Sequence, residues 1–391
     1  MKQMKEKILI LAADLEQTLP IARSLYKKGY EVHGVFSSKY SYGYGSRYIK
    51  KRFLHANAEE ISDYYRFVKS LLEQDKYVTV LPMRDSAAEV MCKYRDELLK
   101  YTTYVMPDTE GFERGFDKQK LMEVCKAEGY PHPETYLVKD GNLGSLNIDS
   151  LRYPVLIKPN HTFGARGMTL CNDKKELQEK FPKIYQQFGE CHIQTYIPEG
   201  GHQVEVQVYI NEKQELVQGS VIKKFRWYPN KGGSSCCNIS CKNDRIVNIC
   251  YNVLKSIGWV GFADFDTIED PRTGELLIME INPRVPACVK STFASGIDWA
   301  DVIVGEYLKK EHKTYQMDRE VYLRFLGVEV LWFLKSENKW HTKPNWFKFF
   351  GSDIYYQDMS DWTDPMPFIR GSIGNIKKQL SPEFRKQKAG V

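Results

Sequence analysis

Apolar and polar positions along this chain follow two rhythms, and the change between them falls between residues 110 and 125. The first stretch opens with residues 7–13, an apolar run that reads as a buried strand. A helical rhythm over residues 18–28 follows and stops at Gly29. Strand patterns recur at 31–36 and 77–81, with a helical pattern at 61–74 between them. Strands alternating with helices predict a parallel α/β sheet. The first strand-to-helix turn, AADLEQT, lacks G-x-G-x-x-G, so a Rossmann-like shape without a dinucleotide site is expected.

The second stretch reads differently. A short helix at 120–128 stops at Gly129-Tyr130-Pro131, and strands at 153–158 and 168–170 flank a loop. A helix at 176–188 precedes strands at 192–196, 203–210 and 216–223. A helix at 245–257 and two strands at 261–268 and 276–281 complete an antiparallel-rich α+β unit. The expected organisation is an α/β domain over 1–115 and a second domain over 116–325. The latter divides into a small part at about 135–195 and a large part at about 196–325. Residues 326–391 form an extension that is aromatic, basic and poorly periodic.

Composition narrows the class. The chain has 391 residues, 42% hydrophobic and 27% charged, enough for two or three folded units and unlike disordered or collagen-like sequences. The net charge of +6 is mild for a nucleic-acid binder, and residues 331–391 hold most of the surplus, with ten Lys/Arg against six Asp/Glu. The apolar run at 8–13 is shorter than a secretory core of about 7–15 residues, and nothing approaches the roughly 20 of a membrane span. A cytoplasmic protein is therefore expected. Nine scattered cysteines fit reduced thiols better than a disulfide framework.

Candidate chemistry concentrates in residues 261–284, GFADFDTIEDPRTGELLIMEINPR. Two strands joined by the Asp270–Gly274 turn place Asp264 and Asp266 on one face, opposite Glu280 and Asn282. Facing oxygen ligands suit Mg²⁺, which takes carboxylates together with nucleotide phosphates. Arg284 follows on that face and would hold an anion beside the metal. A lone acidic pair is most often a salt-bridged, solvated hairpin face; E-x-N-P-R opposite D-x-D is a more specific pattern. A second candidate is Lys158 at the end of a strand, followed by Asn160-His161-Thr162-Phe163-Gly164-Ala165-Arg166-Gly167-Met168. Small residues let backbone N–H groups approach phosphate oxygens, and the lysine adds a point charge, though the loop alone also fits an ordinary hairpin turn.

These segments resemble the ATP-grasp superfamily, within it the biotin-carboxylase and carbamoyl-phosphate-synthetase branch. The resemblance runs over roughly residues 7–310 and implies the fold: a Rossmann-like preATP-grasp domain, then two α+β subdomains clasping ATP. It implies that Lys118, Lys158 and the stretch Gly164, Ala165, Arg166, Gly167 and Met168 contact phosphate. Gln194, Thr195, Tyr196 and Ile197 would form the adenine-reading hinge, with His202 or Glu205 near the ribose. Asp266, Glu280 and Asn282 would bind Mg²⁺ or Mn²⁺, two ions in all. Two departures stand out: the hinge has Gln194 and Thr195 where an acidic residue is common, and His161, Thr162 and Phe163 replace frequent glycines.

The segment from Lys223 through Gly232 and Gly233 to Ser235 is similar to stretches in carboxylate–amine ligases of the D-aspartate-ligase and polysaccharide-locus kind. It implies that Arg226 clamps a carboxylate or phosphate and that residues 231–234 close over it. Cys236, Cys237 and Cys241 lack the paired spacing of a zinc site. The implied activity is an ADP-forming carboxylate–amine (or carboxylate–thiol) ligase working through an acyl phosphate. A bicarbonate-using enzyme is the alternative, and a nucleotide-binding regulator is a third class that the complete Asp/Glu/Asn/Arg set argues against. The partners expected are a small carboxylate and an amine, with no nucleic acid and no membrane span. Contact of the tail with a membrane surface and a homodimer stay open.

Overall fold

The computed structural model describes residues 5–161, 167–228, 234–357 and 361–380. The chain divides into two compact units that do not follow linear order: one comprises 1–106, 226–242 and 283–391, the other 107–225 and 243–282. The boundaries expected from sequence, at 115 and 325, therefore differ from those of the compact units. Residues 226–242 interrupt the second unit, and they and the tail belong to the same unit as the N-terminal α/β layer.

That layer is a four-stranded parallel sheet. Its strands are β1 (Lys7–Leu11), β2 (Glu31–Phe36), β3 (Ile49–Leu54) and β4 (Thr79–Pro82), in the order β3-β2-β1-β4. Ile8, Leu9, Ile10 and Leu11 are all fully buried because the central strand of a parallel sheet is covered on both faces, hence the unbroken apolar run. Helices α1 (Thr18–Lys27), α2 (Ile61–Gln74) and α3 (Asp85–Lys93) accompany it. Strand β3 and helix α3 were not apparent in the sequence pattern. Of the six β3 residues only Ile49 is buried, so this edge strand lacks the apolar run of its neighbours.

The second unit begins with α4 (Thr109–Phe116) and α5 (Lys118–Glu128). Asp117 caps α5 by accepting from the Lys120 N–H at 2.9 Å, and Gly129, at φ +74°, ends it in the left-handed region open to glycine. A small antiparallel sheet follows: β5 (Thr135–Leu137), β6 (Val155–Pro159), β7 (Thr169–Cys171) and β8 (Cys191–Thr195), ordered β5-β8-β6-β7 with α6 (Lys174–Phe188) packed on it. Val155, Ile157, Cys171 and Ile193 form its core with Leu177 and Phe181 of α6. By alternation Lys158, His192 and Gln194 lie on the opposite face.

The larger sheet of this unit orders β13 (Leu276–Asn282), β12 (Gly261–Glu269), β9 (Gln203–Ile210) and β10 (Leu216–Tyr228) side by side, all antiparallel. It is backed by α7 (Asp244–Ser256), whose Val247 comes so close to Gly219 that a Cβ there would sit 2.4 Å from a valine methyl. β10 runs five residues past its expected end at Lys223, and the unit boundary falls within it after Phe225.

The remaining segments belong to the first unit: β11 (Ser234–Cys241), α8 (Trp299–Leu308), β14 (Tyr322–Arg324), α9 (Leu326–Lys335), β15 (Ile354–Tyr356) and α10 (Met366–Leu380). The tail thus carries more regular structure than its weak periodicity suggested. Among the described residues no helix is long and apolar enough to cross a membrane.

Candidate nucleotide and metal site

The register of the larger sheet stacks its polar residues in two rows. Asn282, Asp264, Gln207 and Ser220 are successive cross-strand neighbours, as are Glu280, Asp266 and Glu205. A β-bulge between Asp266 and Thr267 breaks the alternation beside the second row, a common device for re-aiming side chains next to a site. Apart from Asn282, which is partly exposed, the first row is closed and buried. Gln207 Nε2 donates to Asp264 Oδ1 at 2.7 Å, Ser220 Oγ donates to Gln207 Oε1 at 2.7 Å, and Asp264 is 1% exposed. The second row is more open and ionic. Lys224 Nζ lies 2.7 Å from Glu205 and 3.1 Å from Asp266, while Lys118 Nζ lies 3.2 Å from Glu280. Asn282 Nδ2 links the rows, donating to Asp266 Oδ2 at 3.2 Å.

Lys158 Nζ donates to Gln194 Oε1 at 3.0 Å, and Gln194 Nε2 donates to Thr135 Oγ1 at 3.1 Å. Burial pulls the Lys158 ammonium down to about 8; Glu280 and Asp266 oppose that and Lys118 adds to it. Lys118, Lys158, Asp266 and Glu280 therefore form one electrostatic group. Its donors fit a hard cation. Asp266, Glu280 and Asn282 face one another across paired strands, yet among the described residues no three His, Cys, Asp or Glu side chains enclose an ion. Such an incomplete oxygen set is what Mg²⁺ takes when phosphates and water complete its shell.

The other expected residues fall as follows. Thr195 closes β8, Tyr196 donates its N–H to the Pro154 carbonyl at 3.1 Å, and Ile197 is buried. His202 donates its N–H to Glu269 Oε2 at 3.1 Å and packs edge-on against Phe225. Gly167 has φ +74° and Met168 is exposed. Gly164, Ala165, Arg166 and Lys231 to Gly233 lie outside the described residues. Arg284 sits in the first unit, with Nε 3.1 Å from Asp85 Oδ1.

Arg226 has a different setting from the one expected. It is fully buried, bonded to Glu329 and the Pro344 carbonyl, with Nε donating to Thr342 Oγ1 at 3.1 Å. Arg324 Nε donates to the other Glu329 oxygen at 2.7 Å, and Trp332 lies against the Arg226 guanidinium. The described part of the cysteine stretch holds free thiols, and burial pushes Cys237 up to about 12. Lys224 went unrecognised in the sequence. Its signal is the Lys223-Lys224 pair, one of which must share a face with Glu205.

This fold, with ammoniums and oxygen ligands converging on paired strands, defines an ATP-binding class of protein. Residues 117–307 match the family model of the carbamoyl-phosphate synthase L chain ATP-binding domain, an ATP-grasp domain. D-aspartate ligase of Enterococcus faecium (strain Aus0004) is 25% identical over 228 residues, covering 54% of this chain and 54% of the relative. The chain thus matches about half the length of that relative. Among solved structures, a biotin carboxylase–βγ-ATP complex from Campylobacter jejuni aligns with TM-score 0.68 at 17% identity, covering 82% of this chain and 76% of that one. The biotin carboxylase domain dimer of Hydrogenobacter thermophilus 2-oxoglutarate carboxylase, solved with MgADP, ADP and bicarbonate, aligns with TM-score 0.66 at 18% identity, covering 82% and 74%. At these identities the structural likeness speaks for the fold.

Proposed function

We propose that the chain is an ADP-forming carboxylate–amine ligase. The observation that carries this reading is the convergence of Lys118, Lys224, Asp266, Glu280 and Asn282, with Lys158 coupled to them electrostatically. In the proposed first step a carboxylate oxygen attacks the γ-phosphorus of ATP, the bond to the β–γ bridging oxygen breaks, and ADP leaves. The amine nitrogen then attacks the acyl carbon, gives up a proton, and phosphate departs with the former carboxylate oxygen. Lys118 and Lys158 neutralise charge on the transferring phosphoryl group. Asp266, Glu280 and Asn282 hold Mg²⁺, which supplies further charge neutralisation when bound. Arg284 anchors the acid or its acyl phosphate. Gln194 to Ile197 meet adenine, and Glu205 or His202 the ribose. Arg226, sealed against Glu329, Thr342 and Pro344, is left with a structural role and does not touch the substrate.

The D-aspartate ligase match favours an amine acceptor, while the carboxylase neighbours favour bicarbonate as the runner-up substrate. The test is phosphate release from ATP over a panel of amino acids, sugar acids, nucleotide sugars and bicarbonate. Release that needs an acid and an amine together, with ¹⁸O passing from labelled carboxylate into phosphate, is expected. Bicarbonate-dependent release alone would replace the reading with its alternative.

The tail enters the same reading as an anchor. Helix α10 exposes Met366, Ile369, Ile373 and Ile376 at helical spacing and contains Arg370 and Lys377 but no acidic residue. That combination suits an anionic lipid surface. Co-sedimentation with anionic vesicles, lost in Ile373→Asp, is expected; equal pelleting of the two proteins would remove the anchor.

A further inference from the structure

Lys118 and Lys158 come from separate elements, the first turn of α5 and the end of β6, and phosphoryl transfer is sensitive to misplacement of such groups by about 1 Å. Something must hold the two in register. The residues just past Lys158 reach across to the residues flanking Lys118. Asn160 Nδ2 donates to Gln119 Oε1 at 3.1 Å, and His161 Nε2 lies 3.0 Å from Asp117 Oδ2. Positions 117 and 119 are thus gripped on either side of Lys118 by consecutive residues, 160 and 161. Two contacts fix rotation as well as distance, where one would leave a pivot.

The grip is itself anchored. Asn160 is 1% exposed, its N–H donates to the Glu190 carbonyl at 2.9 Å, and its side-chain oxygen meets His192 Nδ1 at 2.9 Å. His192 is the cross-strand partner of Lys158 and is fully buried. Burial, aided by Lys158 and Lys118, holds its ring down to about 3, so it is neutral. Because the Asn160 amide is spent on Gln119, the hydrogen-bond pattern assigns the ring proton to Nδ1, which donates to Asn160. On the other side Asp117 keeps its capping bond to α5 while pairing with His161. The carboxylate raises the His161 pKa, favouring the charged ring.

We infer that Asn160 and His161, acting through Gln119 and Asp117, are positioning residues that set the spacing between Lys118 and Lys158. The inference rests on the reading of those two lysines as ligands of nucleotide phosphate. Neither Asn160 nor His161 need touch the nucleotide for this. The pair is local to one unit and requires no movement of the other.

The test is a double-mutant cycle on the full chain, reading the Kd of Mg-ATP by calorimetry and Tm in parallel. His161→Ala should raise the Kd about tenfold, the size expected for losing a charge-assisted contact that orients a ligand group. In a Lys118→Ala background the same change should have no further effect, because the group it positions is gone. Asp117→Asn, which keeps an N-cap but removes the charge partner, should reproduce the His161→Ala shift and serves if that variant folds poorly. Equal losses in both backgrounds, or an unchanged Kd in both variants, would overturn the positioning role. Wild-type affinity in Lys118→Ala alone would instead refute the phosphate-ligand reading beneath it.

Discussion

Two ionic clusters in this chain use similar residues to opposite ends. In the second unit, Lys118, Lys224, Glu205, Asp266 and Glu280 meet in pairs whose side chains keep between 10% and 34% of their surface. In the first unit, Arg226, Arg324 and Glu329 show none at all, and their remaining donors go to the Pro344, Trp346 and Lys348 carbonyls and to Thr342. A partly open pair can trade partners with an incoming phosphate or cation. A sealed triad with its donors spent on backbone can only hold structure. The same pairing of basic side chains with carboxylates therefore reads as machinery in one place and as a rivet for the tail in the other.

The sharpest way to break the comparison is to remove the rivet. Glu329→Ala leaves two guanidiniums buried without a counter-charge and should cost about 3–5 kcal/mol of stability. Denaturant unfolding measures it, and a midpoint like the wild type would show that the triad is not structural. Glu280→Gln is the counterpart in the open cluster. Turnover should fall about 10²–10³-fold, with Tm nearly unchanged, since a partly exposed carboxylate contributes little to folding.

Smaller effects sharpen the boundary. Lys224→Met removes the ammonium that competes with a cation for Asp266 and Glu205, so the Mg²⁺ concentration for half-maximal activity should drop severalfold while turnover falls about tenfold. An unchanged metal titration would place Lys224 outside the site. The mildest effect is a pH dependence. With Lys158 held near 8, its charge is present below that pH and lost above it. ATP affinity should therefore weaken severalfold as pH rises through about 8, and Lys158→Arg, which cannot deprotonate there, should flatten the profile.

Much of the second unit was legible because its signals are local. Strand 203–210 matches its expected bounds, and alternation alone puts Asp264 with Asp266 on one face of their strand and Glu280 with Asn282 on one face of theirs. The bulge between Asp266 and Thr267 was not legible: the register that starts at the turn shifts by one residue there, and that shift brings Asp266 opposite Glu280 and Asp264 opposite Asn282. What else stayed illegible is long-range. Arg226 looked like an anion clamp because its carboxylate, Glu329, lies about a hundred positions away in a segment with weak periodicity. Lys224 belongs to a strand that reads as ending one residue earlier, and the grip of Asn160 and His161 on α5 spans some forty residues. The outward apolar stripe of α10 has regular spacing, but spacing alone does not tell which side of a helix the protein covers.

The central claim is that the open cluster binds nucleotide together with a metal ion. Calorimetric titration of ATP with and without Mg²⁺, into the wild type and Glu280→Gln, tests it most directly. The account predicts that Mg²⁺ strengthens ATP binding at least tenfold in the wild type and that Glu280→Gln keeps only weak binding insensitive to the metal. Equal strengthening by Mg²⁺ in both proteins would contradict it.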